Sequence, residues 1–518
     1  MRGLRNILFA ILFSVASVGM SAASDIYVAQ NAAGGNSGAD CADAHGKSYL
    51  DTPGSWAAGN TYHLCGTFTA MAGSSSYITA QASGSSTNPL TLKFETGAVI
   101  QSSYWSGPVI NLNGKSFIIV DGGTNGTVQA TANGSSLANQ QDNGICVNDG
   151  SPGGTATNIT VQNLICQNIY VHSSMSDDGG GATYGFDLSN ISNLVIRNNT
   201  IHDTKWATRL SFGGGTTYVG ATFSGNTIYN IDHCLFQSDS STGANVTVTN
   251  TLVYANVCHD FANWDNTSNS NHHDGFHFSS NSGSHFNGVY LYSNDIYGDI
   301  GINNTAGVFS YPDANTFTNY YVFNNVIVNG STNHCWNNGA ISLYEISPGP
   351  EYIYNNTFVS NASSCRDNGI DYSGNAASLV AENNIFQNYS GSSHAITAGT
   401  TLGVIDYNIY YLAQNWSWHG TGLSNFATWK ADCACDPHSI TTNALLTGLY
   451  TLGAGSSASG AGVNLNGVCN GQPNPGLGAL CSDKSGVARL QSGAWDIGAY
   501  TAGGNSPDAP SGLAAQVN

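Results

Sequence analysis

The amino-acid sequence predicts an all-β solenoid, a parallel β-helix in which each repeat forms one coil. The main observation is a recurring triplet of asparagine, any residue and an apolar residue, with successive triplets 24 to 38 residues apart. The triplets begin at Asn199, Asn226, Asn256, Asn294, Asn325, Asn356, Asn384 and Asn408. Repeats of this length indicate stacked units that cannot bury their apolar side chains alone.

Composition supports the assignment of the repeats to strands. The repeats are short, rich in Val, Ile, Tyr and Thr, and separated by Gly, Asn, Ser and Asp, which is typical of strands joined by turns. Charged residues make up only 8% of the chain and glycine accounts for 63 of 518 residues, so long helices are not expected. Because a solenoid grows by adding coils, this length is compatible with a single β-helix.

The repeated asparagines are expected to form a column along one corner of the coils. Asparagine tolerates left-handed backbone angles, which suits a corner. In register, the side-chain amide of each asparagine can also bond to the asparagine of the next coil.

The first residues have the features of a secretory signal peptide. Arg2 and Arg5 precede a short apolar run at 7–17, and small residues at 21–23 offer a cleavage site. The run is shorter than the roughly 20 residues that a membrane span needs, which disfavours an anchor. We expect a signal peptide at 1–23, the β-helix at 24–500 and a linker or the start of a truncated module at 501–518. The mature protein is then secreted or displayed at the cell surface.

The formal net charge of −19 limits the partners of the protein. Nucleic acids and anionic membranes bind basic patches, so neither is expected to bind so acidic a chain. An anionic polysaccharide meets the same repulsion, which bound Ca²⁺ would offset because carboxylate and carbonyl oxygens bind this ion readily. We expect a monomer that binds a polysaccharide.

Twelve cysteines in an exported chain indicate disulfides. Cys335 and Cys365 occupy the same place in two repeats, which predicts a bridge between adjacent coils. Similar spacing predicts the pairs Cys41–Cys65, Cys146–Cys166 and Cys234–Cys258. The remaining four are expected to pair among themselves in an arrangement that the sequence leaves open: Cys433, Cys435, Cys469 and Cys481.

A second repeated pattern precedes the triplets, as in the segments 185–188 and 275–278. Strand alternation places its two apolar residues inward and the residue between them outward. The residues expected to line one exterior face in this way are Asp187, Gln237, His277, Ser342 and Asp371. A long face of this kind is the surface that solenoids use for extended ligands.

The chain resembles the secreted right-handed parallel β-helix proteins of the pectate-lyase-like (pectin lyase-like) superfamily. The resemblance is carried by Asp25–Ala29, by the ladder of coils and by the closing segments 426–429, 436–440 and 495–500. It implies a single-stranded right-handed parallel β-helix with an N-terminal cap. It selects no activity, because this superfamily hosts lyases, hydrolases, esterases and non-enzymatic surface proteins.

The longest step of the ladder, from Asn256 to Asn294, holds the densest polar cluster and predicts the functional site. Its 38 residues indicate an inserted loop, and loops on rigid scaffolds collect functional residues. Residues of neighbouring coils join this cluster because adjacent strands lie about 4.8 Å apart. The expected catalytic residues are Lys205, Arg209, Asp232, His233, His273 and Asp274. The expected substrate-binding residues are Trp206, Gln237, Trp264, His277 and Asn303, and the expected metal ligands are Asp274 and Asp299.

Two cleavage chemistries fit these residue types. β-Elimination on a uronate needs a base, from the Lys, Arg and His residues above, and a cation such as Ca²⁺ on Asp274 or Asp299. Hydrolysis needs two carboxylates, which Asp203, Asp232, Asp274 and Asp299 offer. Metal binding is a third possibility, because His272, His273, Asp274 and His277 have ligand chemistry. His272 and His273 cannot both bind one ion from a regular strand, since adjacent residues of a strand face opposite ways.

Structural roles compete with each of these assignments. Asp274 stands before a glycine, a pair that also forms turns. Lys205 and Arg209 are also able to pair with Asp203, and Trp206 to pack against a loop. We predict an extracellular polysaccharide-cleaving enzyme, with a lyase ahead of a glycoside hydrolase. The alternative of a different class is a non-catalytic surface or adhesive β-helix.

Overall fold

The computed structural model describes residues 23–132, 144–149, 155–169, 183–240, 244–263, 273–281, 283–312, 317–344, 350–372, 378–399, 402–471 and 474–503. The predicted signal peptide therefore lies outside the described residues except for Ala23, and so do Trp264, His272 and the predicted C-terminal linker from residue 504 onward. The domain boundaries predicted at residues 23 and 500 stay predictions.

Three long sheets run along the molecule, and each coil contributes one strand to each sheet in turn. The pairing between coils is parallel, for example Thr200 with Thr227 and Ile201 with Ile228. Parallel strands joined by returns through two other sheets define a parallel β-helix, so the predicted fold class is confirmed. We number the sheets 1, 2 and 3 in the order in which a coil passes through them.

Sheet 1 consists of Asp25–Ala29, His45–Gly46, Thr61–Cys65, Leu90–Phe94, Ile118–Asp121, Ile159–Gln162, Val195–Arg197, Thr217–Val219, Thr222–Ser224, Thr247–Tyr254, His285–Tyr292, Phe317–Phe323, Pro350–Tyr354, Ser378–Glu382 and Leu402–Asp406. Sheet 2 consists of Thr67–Thr69, Val99–Ser102, Thr127–Ala130, Ile165–Gln167, Thr200–His202, Thr227–Tyr229, Val257–His259, Asp295–Tyr297, Val326–Asn329, Thr357–Ser360, Ile385–Gln387 and Ile409–Tyr411.

Sheet 3 consists of Ile78–Thr79, Pro108–Asn111, Ile145–Asn148, Tyr184–Ser189, Trp206–Phe212, His233–Asp239, His273–Ser280, Asn304–Pro312, Gly339–Leu343, Ile370–Tyr372, Ile396–Ala398, Trp416–Trp418 and Thr421–Leu423. A short pair, Ala156–Thr157 with Ile191–Ser192, stands apart from these sheets. The described helices are Phe426–Cys433 and Asn466–Cys469, with 3-10 turns at Cys41–Asp43, Lys47–Tyr49, Pro53–Ser55 and Leu477–Cys481.

The asparagine column is confirmed and lies between sheets 1 and 2. The side-chain oxygen of Asn356 accepts hydrogen bonds from the backbone N–H and the side-chain amide of Asn325, at 2.9 and 3.0 Å. The same pair of bonds links every successive member from Asn199 to Asn408. All members are buried, so these bonds satisfy polar groups that water cannot reach.

We expected the column asparagines themselves to adopt the left-handed backbone angle, and this expectation is wrong by one position. The left-handed backbone angle falls on the residue before each triplet, such as Asn198 at φ 55° and Asn324 at φ 56°. That residue makes the turn, whereas the column asparagine follows it and points its amide inward. Even Ala255 and Tyr407 adopt the left-handed angle in the turn position, which shows that the coil imposes it.

Six disulfides join the twelve cysteines, in agreement with the predicted pairs. The four cysteines that the sequence left open pair as Cys433–Cys435 and Cys469–Cys481. Cys335–Cys365 connects two consecutive coils, as the repeat predicted.

The chain after the last coil folds back over the outer surfaces of sheets 1 and 2. Trp495, Leu477 and Leu480 pack there against Tyr290 and Tyr321 of sheet 1. Sheet 3 receives no comparable apolar cover from this segment among the described residues. None of the described helices has both the length and the apolar character needed to span a bilayer.

Candidate functional site

The candidate site lies on the exterior of sheet 3, where two columns of side chains from successive coils face outward. The first column runs through paired residues of five coils: Tyr184, Trp206, His233, Asp274 and Ala306. The second outward column runs three residues further along each strand: Asp187, Arg209, Phe236, His277, Phe309, Ser342 and Asp371.

Two residues that point inward separate the two columns. A side chain at Gly275 would meet Ile296 in the interior, and the following Phe276 is fully buried in the core. Asp274 and His277 therefore share the exterior face although regular alternation would separate residues three apart. The pairing also shifts by one residue between His273 and Asp274, an irregularity that re-aims side chains in strands.

Asp274 stands between two imidazoles. Its Oδ2 atom lies 2.9 Å from Nδ1 of His277 and 3.4 Å from Nε2 of His233. Its Oδ1 atom accepts a hydrogen bond from the backbone N–H of Ala306 at 3.0 Å. All three side chains are nearly or fully buried, with 2%, 0% and 6% exposure for His233, Asp274 and His277. We call these three residues the Asp274 trio.

A second carboxylate and imidazole lie directly beside the trio. Nε2 of His273 is 3.5 Å from Oδ1 of Asp232, and both side chains have no exposed surface. The backbone carbonyl of Lys205 accepts a hydrogen bond from the N–H of Asp232, which places the buried Lys205 at the next coil. The structure thus brings five of the six predicted catalytic residues into one cluster that spans three coils.

Aromatic rings hold the imidazoles of the trio in place. The His277 ring packs edge-on against Phe236 and Phe309, with ring centres 4.7 and 4.9 Å apart. The His233 ring lies 4.8 Å from the ring of Trp206. These contacts restrict the rotation of both imidazoles, so the arrangement around Asp274 is preorganised.

Arg209, the sixth predicted catalytic residue, is held by an acid one coil away. Its guanidinium donates to both oxygens of Asp187 at 2.8 Å and to the hydroxyl of Tyr184 at 3.1 Å. Burial lowers the pKa of Arg209, but the bonds to Asp187 outweigh this effect and the pKa is raised. Arg209 therefore stays charged and is unsuited to act as a base. The alternative pairing with Asp203 is wrong, because Asp203 bonds to His202 and Asn230.

Two other assignments also need correction. Gln237 faces the interior: it pairs with Leu210 and Phe278, is fully buried and exchanges hydrogen bonds with Thr251 at 3.2–3.3 Å. Asp299 does not join Asp274 in a shared ligand set. Its carboxylate instead accepts from His334 at 2.7 Å and from Asn263 at 2.8 Å.

Phe236 takes the outward place that we expected for Gln237. The signal in the sequence was positional: residues 234–237 align with 275–278, so Phe236 corresponds to His277. Because an aromatic residue in a strand usually packs in the core, residue type alone favoured an inward place for Phe236. Asn303 lies next to the cluster, where its carbonyl accepts from the N–H of His273 at 3.3 Å, and its role in substrate binding stays a prediction.

The donor atoms at Asp274 do not suit the predicted Ca²⁺ ion. Two imidazole nitrogens and one carboxylate lie within 4.8 Å of one another, whereas Ca²⁺ prefers six to eight oxygen ligands. We therefore assign no step to calcium at this position.

No protein-family model matches the chain. Over 182 residues it is 28% identical to proteins named probable endopolygalacturonase A from Neosartorya fischeri and Aspergillus fumigatus. The match covers 32% of this chain, and it spans about half of the length, 49%, of these curated relatives.

Solved structures with a similar backbone include the pectate lyase Pel9A, at 15% identity and a TM-score of 0.42, covering 93% of this chain and 97% of that one. A family 28 exopolygalacturonase from Yersinia enterocolitica is 12% identical with a TM-score of 0.39, covering 77% and 75%. The strand pairings by themselves establish a parallel β-helix in the described residues.

Proposed function

We propose that the protein is an extracellular enzyme that cleaves a uronate-containing polysaccharide of the pectin class on the exterior of sheet 3. The observation that carries this proposal is the Asp274 trio, a buried carboxylate between two oriented imidazoles. Imidazoles act as proton donors and acceptors in catalysis and also bind cations, and both properties serve cleavage of polyuronates. Burial of these polar side chains costs free energy of folding. A functional role therefore explains them better than an ordinary place on a solvated surface does.

The surroundings of the trio match the chemistry of a sugar polymer. Trp206, Phe236 and Phe309 present aromatic rings, which pack well against the apolar faces of sugar rings. Arg209 adds a charged guanidinium that is 34% exposed, one coil from His233, where it is able to contact a uronate carboxylate. The two outward columns continue over successive coils, which is the direction in which an extended polymer would lie.

β-Elimination is the reaction that these residues favour. It requires a proton acceptor beside the sugar and positive charge beside its carboxylate, and the cluster offers imidazoles and Arg209 for these roles. The Asp187 carboxylate already pairs with Arg209, which weakens but does not cancel its attraction for a second acid.

Hydrolysis is the second candidate, and one observation favours it. Asp232 and Asp274 are two carboxylates on consecutive coils, as a glycosidase needs. The partial similarity to proteins named endopolygalacturonase points to the same reaction on the same class of glycan. Both candidates share the substrate class and differ in the product.

The test is to incubate the full-length secreted protein with polygalacturonate and with a panel of neutral and acidic glycans. Elimination generates an unsaturated uronate that absorbs in the ultraviolet, hydrolysis generates reducing ends without that absorbance, and a binder generates neither. Asp274→Asn should reduce the rate by about 1000-fold. The matched control is Asp406→Asn, because Asp406 pairs with His438 at 2.7 Å far along the chain from this cluster. Equal rates in both variants would remove the proposed site.

A further inference from the structure

We propose that His233, Asp274 and His277 bind one divalent transition-metal ion, such as Zn²⁺ or Mn²⁺. This inference concerns the same site as the proposed polysaccharide cleavage and rests on it for the role of the ion. The binding itself follows from the geometry of the three side chains.

The spacing of the donor atoms fits a common first coordination sphere. Metal–ligand bonds of about 2.0–2.1 Å at octahedral or tetrahedral angles place neighbouring donors roughly 2.9–3.4 Å apart. The carboxylate oxygen Oδ2 of Asp274 lies 2.9 Å from Nδ1 of His277 and 3.4 Å from Nε2 of His233. All three donor atoms lie within 4.8 Å of one another, and an ion shared by them would draw the two imidazole nitrogens toward Oδ2.

The supporting contacts orient the ligands in the way that metal sites require. The Ala306 N–H holds Oδ1 of Asp274, which leaves Oδ2 on the side of both imidazoles. Phe236 and Phe309 fix the His277 ring, and Trp206 fixes the His233 ring. Ligands that are held before the ion arrives lose little entropy when it binds.

The donor set selects the class of ion. Imidazole nitrogens suit zinc, iron, nickel and copper, and carboxylate and water oxygens suit manganese, while calcium prefers six to eight oxygen ligands. Two histidines and one carboxylate occupy three positions, so further positions stay open for water or for oxygens of a ligand. An ion here would place positive charge on the face of a chain whose net charge is −19. That charge attracts the carboxylate of a uronate, which the acidic protein would otherwise repel.

Other acid–histidine contacts in the described residues lack this convergence. His259–Asp260, His334–Asp299 and His438–Asp406 each join one imidazole to one carboxylate at 2.7–2.8 Å. His63 contacts two carboxylates, those of Asp25 and Glu95, but through its two different ring nitrogens. In the part of the chain that the structure describes, only the trio brings one donor atom from each of three such side chains within 4.8 Å of the others. The single pairs therefore provide matched controls for the trio.

The experiment measures metal binding to the full-length protein after removal of bound ions with a chelator. Calorimetric titration with ZnCl₂, MnCl₂ and CaCl₂ should give one Zn²⁺ per chain with a Kd below about 10 µM, and Ca²⁺ binding at least about 100-fold weaker. Addition of Co²⁺ should produce visible absorption bands from a nitrogen-containing site. His277→Ala and Asp274→Asn should weaken Zn²⁺ binding by about 100-fold or more, and His438→Ala should leave it unchanged. Asp274→Asn retains an oxygen that accepts from Ala306, which preserves the fold.

Absence of Zn²⁺ and Mn²⁺ binding to the folded wild-type protein would overturn the metal site, and so would an equal loss in His438→Ala and His277→Ala. Parallel cleavage assays separate this inference from the proposed function. Metal binding without cleavage of any glycan would retain the metal site and reject the proposed function. Full cleavage by the metal-free protein would retain the function and reject the role of the ion.

Discussion

The inner asparagine column and the second outward column of sheet 3 pass through the same coils but differ in their sequences. The asparagine column keeps one residue type on eight consecutive coils and repeats the same two hydrogen bonds at each step. The outward column changes from Asp187 to Arg209, Phe236, His277 and Phe309 within five coils.

This difference separates the residues that stabilise the stacking of the coils from the residues that we assign to function. A repeated residue meets the same need on every coil, namely an inward amide that satisfies buried backbone groups. A column in which the residue type changes from coil to coil has no common structural need to meet. The role of each residue in it depends on its neighbours, as the role of His277 depends on Phe236 and Phe309. The following variants separate the two kinds of column.

After Asp274→Asn, the largest expected effect is on activity and concerns the two imidazoles of the trio. His233→Ala and His277→Ala should each lower kcat/KM on polygalacturonate by about 100-fold. The double variant should lose far less than the product of both losses, because both imidazoles act through Asp274. Multiplicative losses in this double-mutant cycle would show that the two histidines work independently.

The next effect is on stability and concerns the inner column. Asn325→Ala removes the side-chain hydrogen bonds to Asn294, Asn356 and Leu291 in a buried place and should lower the free energy of unfolding by about 3 kcal/mol. Denaturant titration measures this change. Asn287→Ala, at an exposed position of the preceding coil, removes only an exposed hydrogen bond from Asn319 and should change it by less than about 0.5 kcal/mol. A similar loss in both variants would contradict the role of the column.

A third prediction concerns the pH dependence of stability and Glu351, a buried inward acid outside the asparagine column. Burial raises the pKa of Glu351 from 4.5 to about 8, against an opposing hydrogen bond from the hydroxyl of Tyr372. The folded state therefore binds a proton that the unfolded state releases above its ordinary pKa. The stability contributed by this acid is complete below pH 4.5 and is lost as the pH rises through about 8.

Melting temperatures across this pH range test the prediction. The wild-type protein should lose stability with rising pH more steeply than Glu351→Gln, which keeps the shape of the side chain and cannot ionise. Glu382, whose pKa burial raises to about 7, acts in the same direction in both proteins. Identical pH profiles would show that Glu351 does not titrate in this interval.

The smallest effect distinguishes two adjacent residues of one strand. Phe236→Ala should raise KM for the glycan by about 10-fold, because it removes an aromatic ring beside His277. Gln237→Met should leave KM unchanged, because Gln237 faces the interior. A higher KM for Gln237→Met with an unchanged KM for Phe236→Ala would support the outward place that we first predicted for Gln237.

The sequence was sufficient for the coil register because Asn199 to Asn408 mark the same corner on every coil. Spacing also predicted four of the six disulfides, among them Cys335–Cys365, whose cysteines take equivalent places in two repeats. It also brought Asp232, His233, His273 and Asp274 together, as neighbours on stacked coils must be. These predictions succeeded because residues separated by one repeat along the sequence become neighbours when the coils stack.

The sequence was insufficient where a strand departs from alternation. Two successive inward residues shift the outward place from Gln237 to Phe236, and polarity alone favoured the wrong one. Asp299 was expected at the trio because it lies one coil away, but it follows a strand of sheet 2 and turns to His334. The left-handed turn position was similarly displaced by one residue. Such details depend on the local path of the backbone, which residue types do not determine.

The most direct test is a crystal structure of the Asp274→Asn variant with a bound oligogalacturonide. The account predicts sugar rings across the exterior of sheet 3, with one ring beside Phe236 and His277 and a carboxylate directed toward the trio or Arg209. An oligosaccharide bound on another face, with the trio left uncontacted, would contradict it.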